Sequence, residues 1–251
     1  MSEGGYAPEW VAAPGVRAAV STRQMDGVSQ PPYAQFNLGL RSGEAPDAVR
    51  ENRRRLAGLL ALPNEPVWLQ QVHGTDVAVI ANRLPPAEPV ADAAVTRELD
   101  RPLAILTADC LPLLLCSDDG AVVGAAHAGW RGLAAGVIER TVASMEVEPA
   151  RVRVWLGPCI GQPSYEVGEE VRNAFVDADS GAAACFLATR AGHWRCDLAA
   201  LARRRLRALG VTALAGGGFD TFTDARFYSY RRDGAASGRF VSLIWRSGTA
   251  T

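Results

Sequence analysis

The sequence predicts a single α/β domain built on a mixed β-sheet with flanking helices. Three observations carry this. Short apolar runs of strand length alternate with segments of helical period from one end of the 251 residues to the other. No repeat, low-complexity tract or linker divides them, so residues 1–251 are read as one domain, with 1–15 a loose N-terminal segment. Nearly half of the residues, 48%, are apolar, enough to fill a sizeable core.

The elements follow in order. VRAAVSTR, from Val16 to Arg23, alternates weakly and reads as a first strand, and QPPYAQFNLGLRSGEAP reads as a long loop. From Asp47 to Leu62 the apolar residues Val49, Leu56, Leu59 and Leu60 share one face of a helix, which Pro46 starts and Pro63 stops. PVWLQQVHG reads as a strand that turns at Gly74, DVAVIA as a second short strand, and RLPPAEPVADAA as a Pro-rich loop re-entering the core at Ala93–Val95. Apolar runs flank TADC at Pro102–Ile105 and Leu111–Cys116. Asp118-Asp119-Gly120 turns the chain into a strand over Ala121–Ala126. AGWRGLAAGVIERTVASM then has helical period, so His127 falls where a strand gives way to a helix. RVRVWL, from Arg151 to Leu156, alternates as a strand. GPCIGQPSYEVG reads as a loop, Glu169–Phe175 as a helix start, and 178–193 as irregular. Asp197–Leu209 is an amphipathic helix stopped by Gly210. VTALAGGGFDTFTD reads as strand and loop, and an aromatic, Arg-rich segment precedes a last apolar strand.

Composition removes several functions. The net charge of -1 gives no attraction to nucleic acid or to an anionic membrane. All 26 basic residues are arginine, which rules out Schiff-base chemistry and a P-loop, both of which need lysine. An anion site must therefore use guanidinium forks or backbone N–H groups. The five cysteines have no CxxC spacing, which argues against a disulfide framework and a zinc finger. MSEGGYAPEW lacks the basic and apolar regions of a signal peptide, and no apolar run reaches the roughly 18 residues of a membrane span. The expected setting is the reducing cytoplasm. The pattern specifies no oligomeric state.

Candidate chemistry centres on Ala91–Gly132. Of the three histidines, His73 and His127 lie at strand ends beside glycines, and Cys110 lies between two apolar runs. Two imidazoles and a thiolate are a ligand set that leaves zinc one open position. The 37- and 17-residue spacings fit no local metal motif. The residues alone leave three readings open: a shared metal site, a metal-free Cys110–His127 nucleophile and base, or unrelated buried side chains. Asp109 and Asp92 are candidate acids. Asp109 faces the same pocket as Cys110 only if TADC turns, because neighbours on a strand point oppositely. Arg131, Arg231, Arg232 and Arg239 are candidates for holding an anion, Tyr228 and Tyr230 for stacking, and Asn37 for a turn or a ligand contact. His193 reads as surface or structural, Cys116 and Cys196 as packing, and Cys159 stays ambiguous.

FNLG, ENRRRL, QVHGTDV, ADAAVT, TADCLPLLL, AAHAGWRG, LGPCIGQPSYEVG and FYSYRRDG with SGR occur in this order between Asn37 and Trp245. Together they resemble the YfiH family, described both as multicopper polyphenol oxidase or laccase-like and as purine nucleoside phosphorylase. The resemblance implies a fold like that of toxin deamidases built around a Cys–His pair. It implies zinc, or copper, held by His73, Cys110 and His127. It also implies phosphorolysis of adenosine, inosine and methylthioadenosine, with adenosine deamination, and a separate description places the family in editing of peptidoglycan precursors.

Three histidines cannot furnish a multicopper centre, so a one-metal purine nucleoside enzyme is the leading expectation. Its catalytic groups are Cys110, His127, His73 and Asp109, and Asn37, Arg131, Arg231 and Arg232 bind nucleoside and phosphate. In deamination, water activated at the metal attacks purine C6. The rivals are a metal-free cysteine amidase acting on peptidoglycan precursors and a non-catalytic binding protein. This chain departs from the family where a His-Val-Gly-Asp-like stretch follows FNLG, having LRSGE with Arg41, Gly43 and Glu44. It departs again in having Asp220-Thr221 in place of a Cys-Thr pair.

Overall fold

The computed structural model describes residues 5–82 and 86–248. Of the Pro-rich loop and the N-terminal segment, residues 83–85 and 1–4 lie outside the described part. In chain order the elements are β1 (Val16–Val20), α1 (Pro46–Leu59), β2 (Val77–Ile80), β3 (Ala93–Thr96), β4 (Leu103–Thr107), β5 (Leu111–Ser117) and β6 (Val123–Ala128). There follow α2 (Trp130–Ala135), α3 (Val137–Ser144), β7 (Val152–Leu156), β8 (Glu166–Gly168), α4 (Glu169–Val176), β9 (Phe186–Arg190) and β10 (His193–Cys196). The chain closes with α5 (Leu198–Ala208), β11 (Ala213–Gly216), α6 (Tyr230–Asp233) and β12 (Phe240–Arg246).

A single α/β domain with a mixed sheet results. The main sheet has the order β11-β7-β5-β6-β3-β2. Its outer pairs β11/β7 and β2/β3 are parallel, and the pairs between them are antiparallel. A second sheet, β1-β12-β4, is wholly antiparallel, and a small one, β8-β10-β9, stands apart.

The period-two alternation of side chains explains how the layers stack. Along β5, Leu113 and Leu115 face a core completed by Leu133, Ile138, Val142, Leu201 and Leu206 of the helices. Leu114 and Cys116 face the other way, onto Leu103 and Ile105 of β4 and Phe240 and Ile244 of β12. The alternate residues of those strands, Ala104, Val241 and Leu243, pack with Leu56 of α1. The order of layers is therefore α1, three-stranded sheet, six-stranded sheet, helices α2–α5. β5 and β6 are buried along their whole length because both faces of their sheet are covered.

Five expectations need correction. GPCIGQPSYEVG is not all loop, since its end is β8, paired with β10. AGWRGLAAGVIERTVASM is two helices, because Gly136 takes a left-handed φ of 100° and breaks them. PVWLQQVHG is held by isolated bridges, Val67 to Leu103 and Gln70 to Val90, and joins no ladder. Its Gln71 side chain stands in for a strand, donating to the Leu106 carbonyl at 2.8 Å and accepting from the Leu106 N–H at 2.9 Å. The stretch 178–193 is ordered, as a 3₁₀ segment running into β9. The described part of 1–15 is anchored as well: Tyr6 pairs with Val20, and its ring meets Trp155 and Phe219.

Candidate active site

The bends that end β4 and begin β5 bring the chemistry together. Between them Asp109 takes a positive φ of 87°, so TADC turns, and Asp109 and Cys110 line one cavity of about 460 Å³. His127, the penultimate residue of β6 before Gly129 opens α2, lines the same cavity, as does His73. The ligand atoms of His73, Cys110 and His127 all lie within 4.8 Å of one another. The Cys110 Sγ to His73 Nε2 distance is 3.8 Å, and the two imidazoles meet edge to face with centroids 4.7 Å apart.

Asp92 holds both histidines. It is fully buried just before β3. Its Oδ1 lies 2.8 Å from His127 Nδ1 and accepts from the His73 N–H at 2.9 Å. Its Oδ2 accepts from the backbone N–H of Val72 at 3.1 Å and of Gly74 at 2.6 Å. These bonds hold His73 at a positive φ of 61°, a conformation that costs a non-glycine residue free energy. They also commit His127 Nδ1, leaving Nε2 for the cavity side. Two glycines keep the site open. A Cβ on Gly129 would stand 2.8 Å from His73 Cδ2 and 3.1 Å from Cys110 Sγ, and one on Gly132 would lie 2.7 Å from the Gly74 carbonyl oxygen.

Charge follows from this packing. Burial pushes the Cys110 thiol up, but the His127 imidazolium and hydrogen bonds from His127 and His73 outweigh it, bringing it down to about 6. Burial opposes charge on His127, yet the Cys110 thiolate and the Asp92 carboxylate together raise it to about 9. Burial likewise opposes charge on Asp92, and the donors around it hold its carboxyl below the usual range. Without a metal, Cys110 and His127 are a thiolate–imidazolium pair. A thiolate, two imidazoles and a buried carboxylate behind one of them form a donor set that fits zinc.

The other predicted residues separate. Asp109 accepts from Thr221 Oγ1 and from the Arg231 N–H, each at 2.6 Å, which fixes its carboxylate at the cavity wall. Thr221 is one of the two residues at a departure from the family pattern. Its neighbour Asp220 ties the 161–164 loop by accepting from Gly161 N–H and Ser164 Oγ. Arg131 and Arg231 line the cavity, stacked over Trp130 at 4.4 Å and Tyr165 at 5.3 Å.

Arg232 and Asn37 do not line it, which corrects their assignment to substrate. Arg232 turns inward and spends its guanidinium on the carbonyls of Thr221, Phe222 and Phe227 and on the Asp233 carboxylate. Asn37 is fully buried, and its amide donates to Ser42 Oγ at 2.7 Å and Glu44 Oε2 at 2.8 Å. Both sit in polar motifs that look like ligand contacts in one dimension and satisfy backbone in three. Tyr228 is buried core, whereas Tyr230 lines the cavity. His193 is partly exposed on β10, and Cys159 is a buried thiol whose pKa burial raises. Asp92 was visible only as a possible acid. Its role as a positioning residue needs the fold, which places it directly before the buried β3.

Fold and site together define an α/β protein with a Cys–His₂ cluster opening on a single cavity. The model of the family described as multi-copper polyphenol oxidoreductase laccase matches residues 17–247, and the chain belongs to that family. It is 49% identical over 247 residues to a Xylella fastidiosa (strain 9a5c) protein named purine nucleoside phosphorylase, covering 94% of this chain and 95% of that one. It is 46% identical over 239 residues to the Escherichia coli (strain K12) purine nucleoside phosphorylase YfiH, covering 95% and 97%. Among solved structures, a Neisseria meningitidis protein matches with a TM-score of 0.93 at 42% identity over 98% of this chain and 100% of its own. YlmD from Geobacillus stearothermophilus matches with a TM-score of 0.87 at 29% identity, over 96% and 98%.

Proposed function

We propose that this protein is a zinc-dependent purine nucleoside enzyme, cleaving adenosine, inosine and methylthioadenosine with phosphate and deaminating adenosine. The observation that carries the proposal is the cluster of His73, Cys110 and His127 ligand atoms within 4.8 Å at the wall of a cavity of nucleoside size. The relatives named purine nucleoside phosphorylase support it. His73, Cys110 and His127 would hold the metal, which when bound supplies a Lewis acid at the reacting centre.

The chain's own groups do the rest. Asp92 orients His127 and the His73 backbone so that the cluster does not have to reorganise during the reaction. In phosphorolysis a phosphate oxygen bonds to ribose C1′ as the bond from C1′ to the purine nitrogen breaks, and the departing base takes up a proton. Asp92 is committed to four donors, so Asp109 is the carboxyl we assign to moving that proton at the cavity wall. In deamination, water adds at purine C6 and the amino group leaves as ammonia. The rings of Tyr230 and Trp130 are available to cover the base and exclude water. We infer the cytoplasm as the setting, where five free cysteines persist. Among the described residues, no helix is long and apolar enough to cross a membrane.

One observation favours a second reading. The thiol of Cys110, lowered to about 6, would serve a metal-free amidase as a nucleophile, with the protonated His127 beside it giving its proton to the leaving amine. Incubating zinc-loaded protein with adenosine, with and without phosphate, and following ribose 1-phosphate and inosine tests the first. No turnover of either kind overturns it. Full activity after metal removal, abolished by a thiol alkylator, supports the second instead.

A further inference from the structure

The partners of five arginines in or beside the cavity sort them. Arg41 lines it, but its Nη1 lies 2.8 Å from the Glu88 carboxylate. Arg232 is paired with Asp233. Arg131, Arg231 and Arg239 line the cavity with no carboxylate partner among the described residues. Arg131 and Arg231 are exposed, and Arg239 is half-buried. Against the cost of burial, the Cys110 and Asp109 charges in the same cavity favour the cationic form of Arg239 but make no ion pair with it, so its cavity-facing edge is left for a visiting anion.

Arg239 is also the one that the fold presents most deliberately. Its Nη1 donates to the carbonyls of Ser237 at 2.7 Å and Gly238 at 2.9 Å, which sets the plane of the guanidinium. Its Nε and Nη2 have no hydrogen-bond partner among the described residues, and these two N–H groups form the side-on edge that matches two oxygens of a tetrahedral oxyanion. The backbone N–H of Arg239 donates to Asn37 Oδ1 at 2.8 Å, and the same oxygen accepts from the Gly39 N–H at 3.0 Å. Gly39 has no room for a side chain, because a Cβ there would stand 2.7 Å from Arg239 Cγ. The FNLG turn is thus a cradle for a side chain that arrives 202 residues after Asn37. Burial lowers the guanidinium pKa, though not to a range where it loses its proton.

We propose that Arg239, cradled by Asn37 and Gly39, holds the phosphate co-substrate through its Nε–Nη2 edge. This rests on the phosphorolysis reading and names the residue at its centre. Arg131 and Arg231, exposed and resting on aromatic rings, add attraction at the mouth and make fewer fixed contacts.

The test titrates zinc-loaded protein with inorganic phosphate by calorimetry and measures the phosphate KM in nucleoside cleavage. Arg239→Gln is expected to raise both the phosphate Kd and KM by about tenfold or more. Arg239→Lys keeps the charge but loses the fork and should fall between it and the wild type. Arg41→Gln, whose charge Glu88 already matches, should stay within about twofold. An Arg239→Gln protein that binds phosphate as the wild type does overturns the proposal, as does an equal loss in Arg41→Gln. If the Gln variant melts early, the Lys variant carries the same comparison. Phosphate binding that depends on Arg239 without any nucleoside cleavage keeps this site and defeats phosphorolysis. Cleavage indifferent to Arg239 does the reverse.

Discussion

His127 is 3% exposed, and its Nδ1 is taken by a carboxylate that is itself fully buried; Arg131 and Arg231, lining the same cavity, are exposed and rest on ring faces. His127 sits on β6, in a sheet covered on both faces, and Asp92 just before β3, whereas the two arginines sit at the start of α2 and on the four-residue α6. A metal cluster tolerates little displacement, because its ligand distances are short and its geometry fixed. A mobile anion tolerates more. The contrast teaches that rigidity in this cavity is placed where coordination needs it, and adaptable charge where a substrate must enter. Arg239 lies between the two, half-buried and cradled.

The largest effect should come from the ligand cluster. Cys110→Ala is expected to cost at least about a hundredfold in turnover and most of the bound zinc, read by elemental analysis. Retained zinc and activity would show that Cys110 is neither a ligand nor a reacting group and would defeat the cluster reading. Asp92→Asn should weaken zinc about 10- to 100-fold in a competition assay with a chromogenic chelator, since the ligand histidines lose their common anchor. Affinity equal to wild type would remove the positioning role. Gly129→Ala should follow, with zinc weakened by about tenfold, because the new methyl group presses on His73 and Cys110.

In metal-free protein the rate of Cys110 alkylation should rise with pH around a midpoint of about 6 and be near its plateau at neutral pH. The sign follows from the lowered value: the thiolate is populated above about 6 and lost as pH falls through it. A midpoint near that of an ordinary thiol, followed by iodoacetamide labelling, would break the thiolate–imidazolium pair. The smallest effect lies far from the cavity. Arg50→Gln removes an exposed pair with Asp47 and should shift unfolding by no more than about 0.5 kcal/mol.

Much of this was legible in one dimension. Strand-length apolar runs gave the main sheet, because strands buried on both faces need no polar alternation to be recognised. His73, Cys110 and His127 stood out because a scarce residue type ended apolar runs. The second sheet was not legible, since β1 and β12 pair over more than two hundred residues and no local pattern specifies a distant partner. Arg232 and Arg239 were alike in sequence, each an arginine in a short polar motif. Only the inward turn of one and the cradle of the other distinguish them. Asp92 escaped for a similar reason: four donors converge on it from separate segments, His127 being 35 positions away. The Asp109–Thr221 bond spans 112 positions and was equally invisible.

The position of β12 has a consequence for folding. This strand lies between β1 and β4, so the second sheet closes only when segments more than two hundred residues apart in the chain meet. The Asn37 oxygen accepts from the Arg239 N–H across 202 positions beside that closure. The wall that carries Arg239 is therefore tied to a strongly non-local pairing, and displacing β12 from its sheet would carry that arginine away from the ligand cluster.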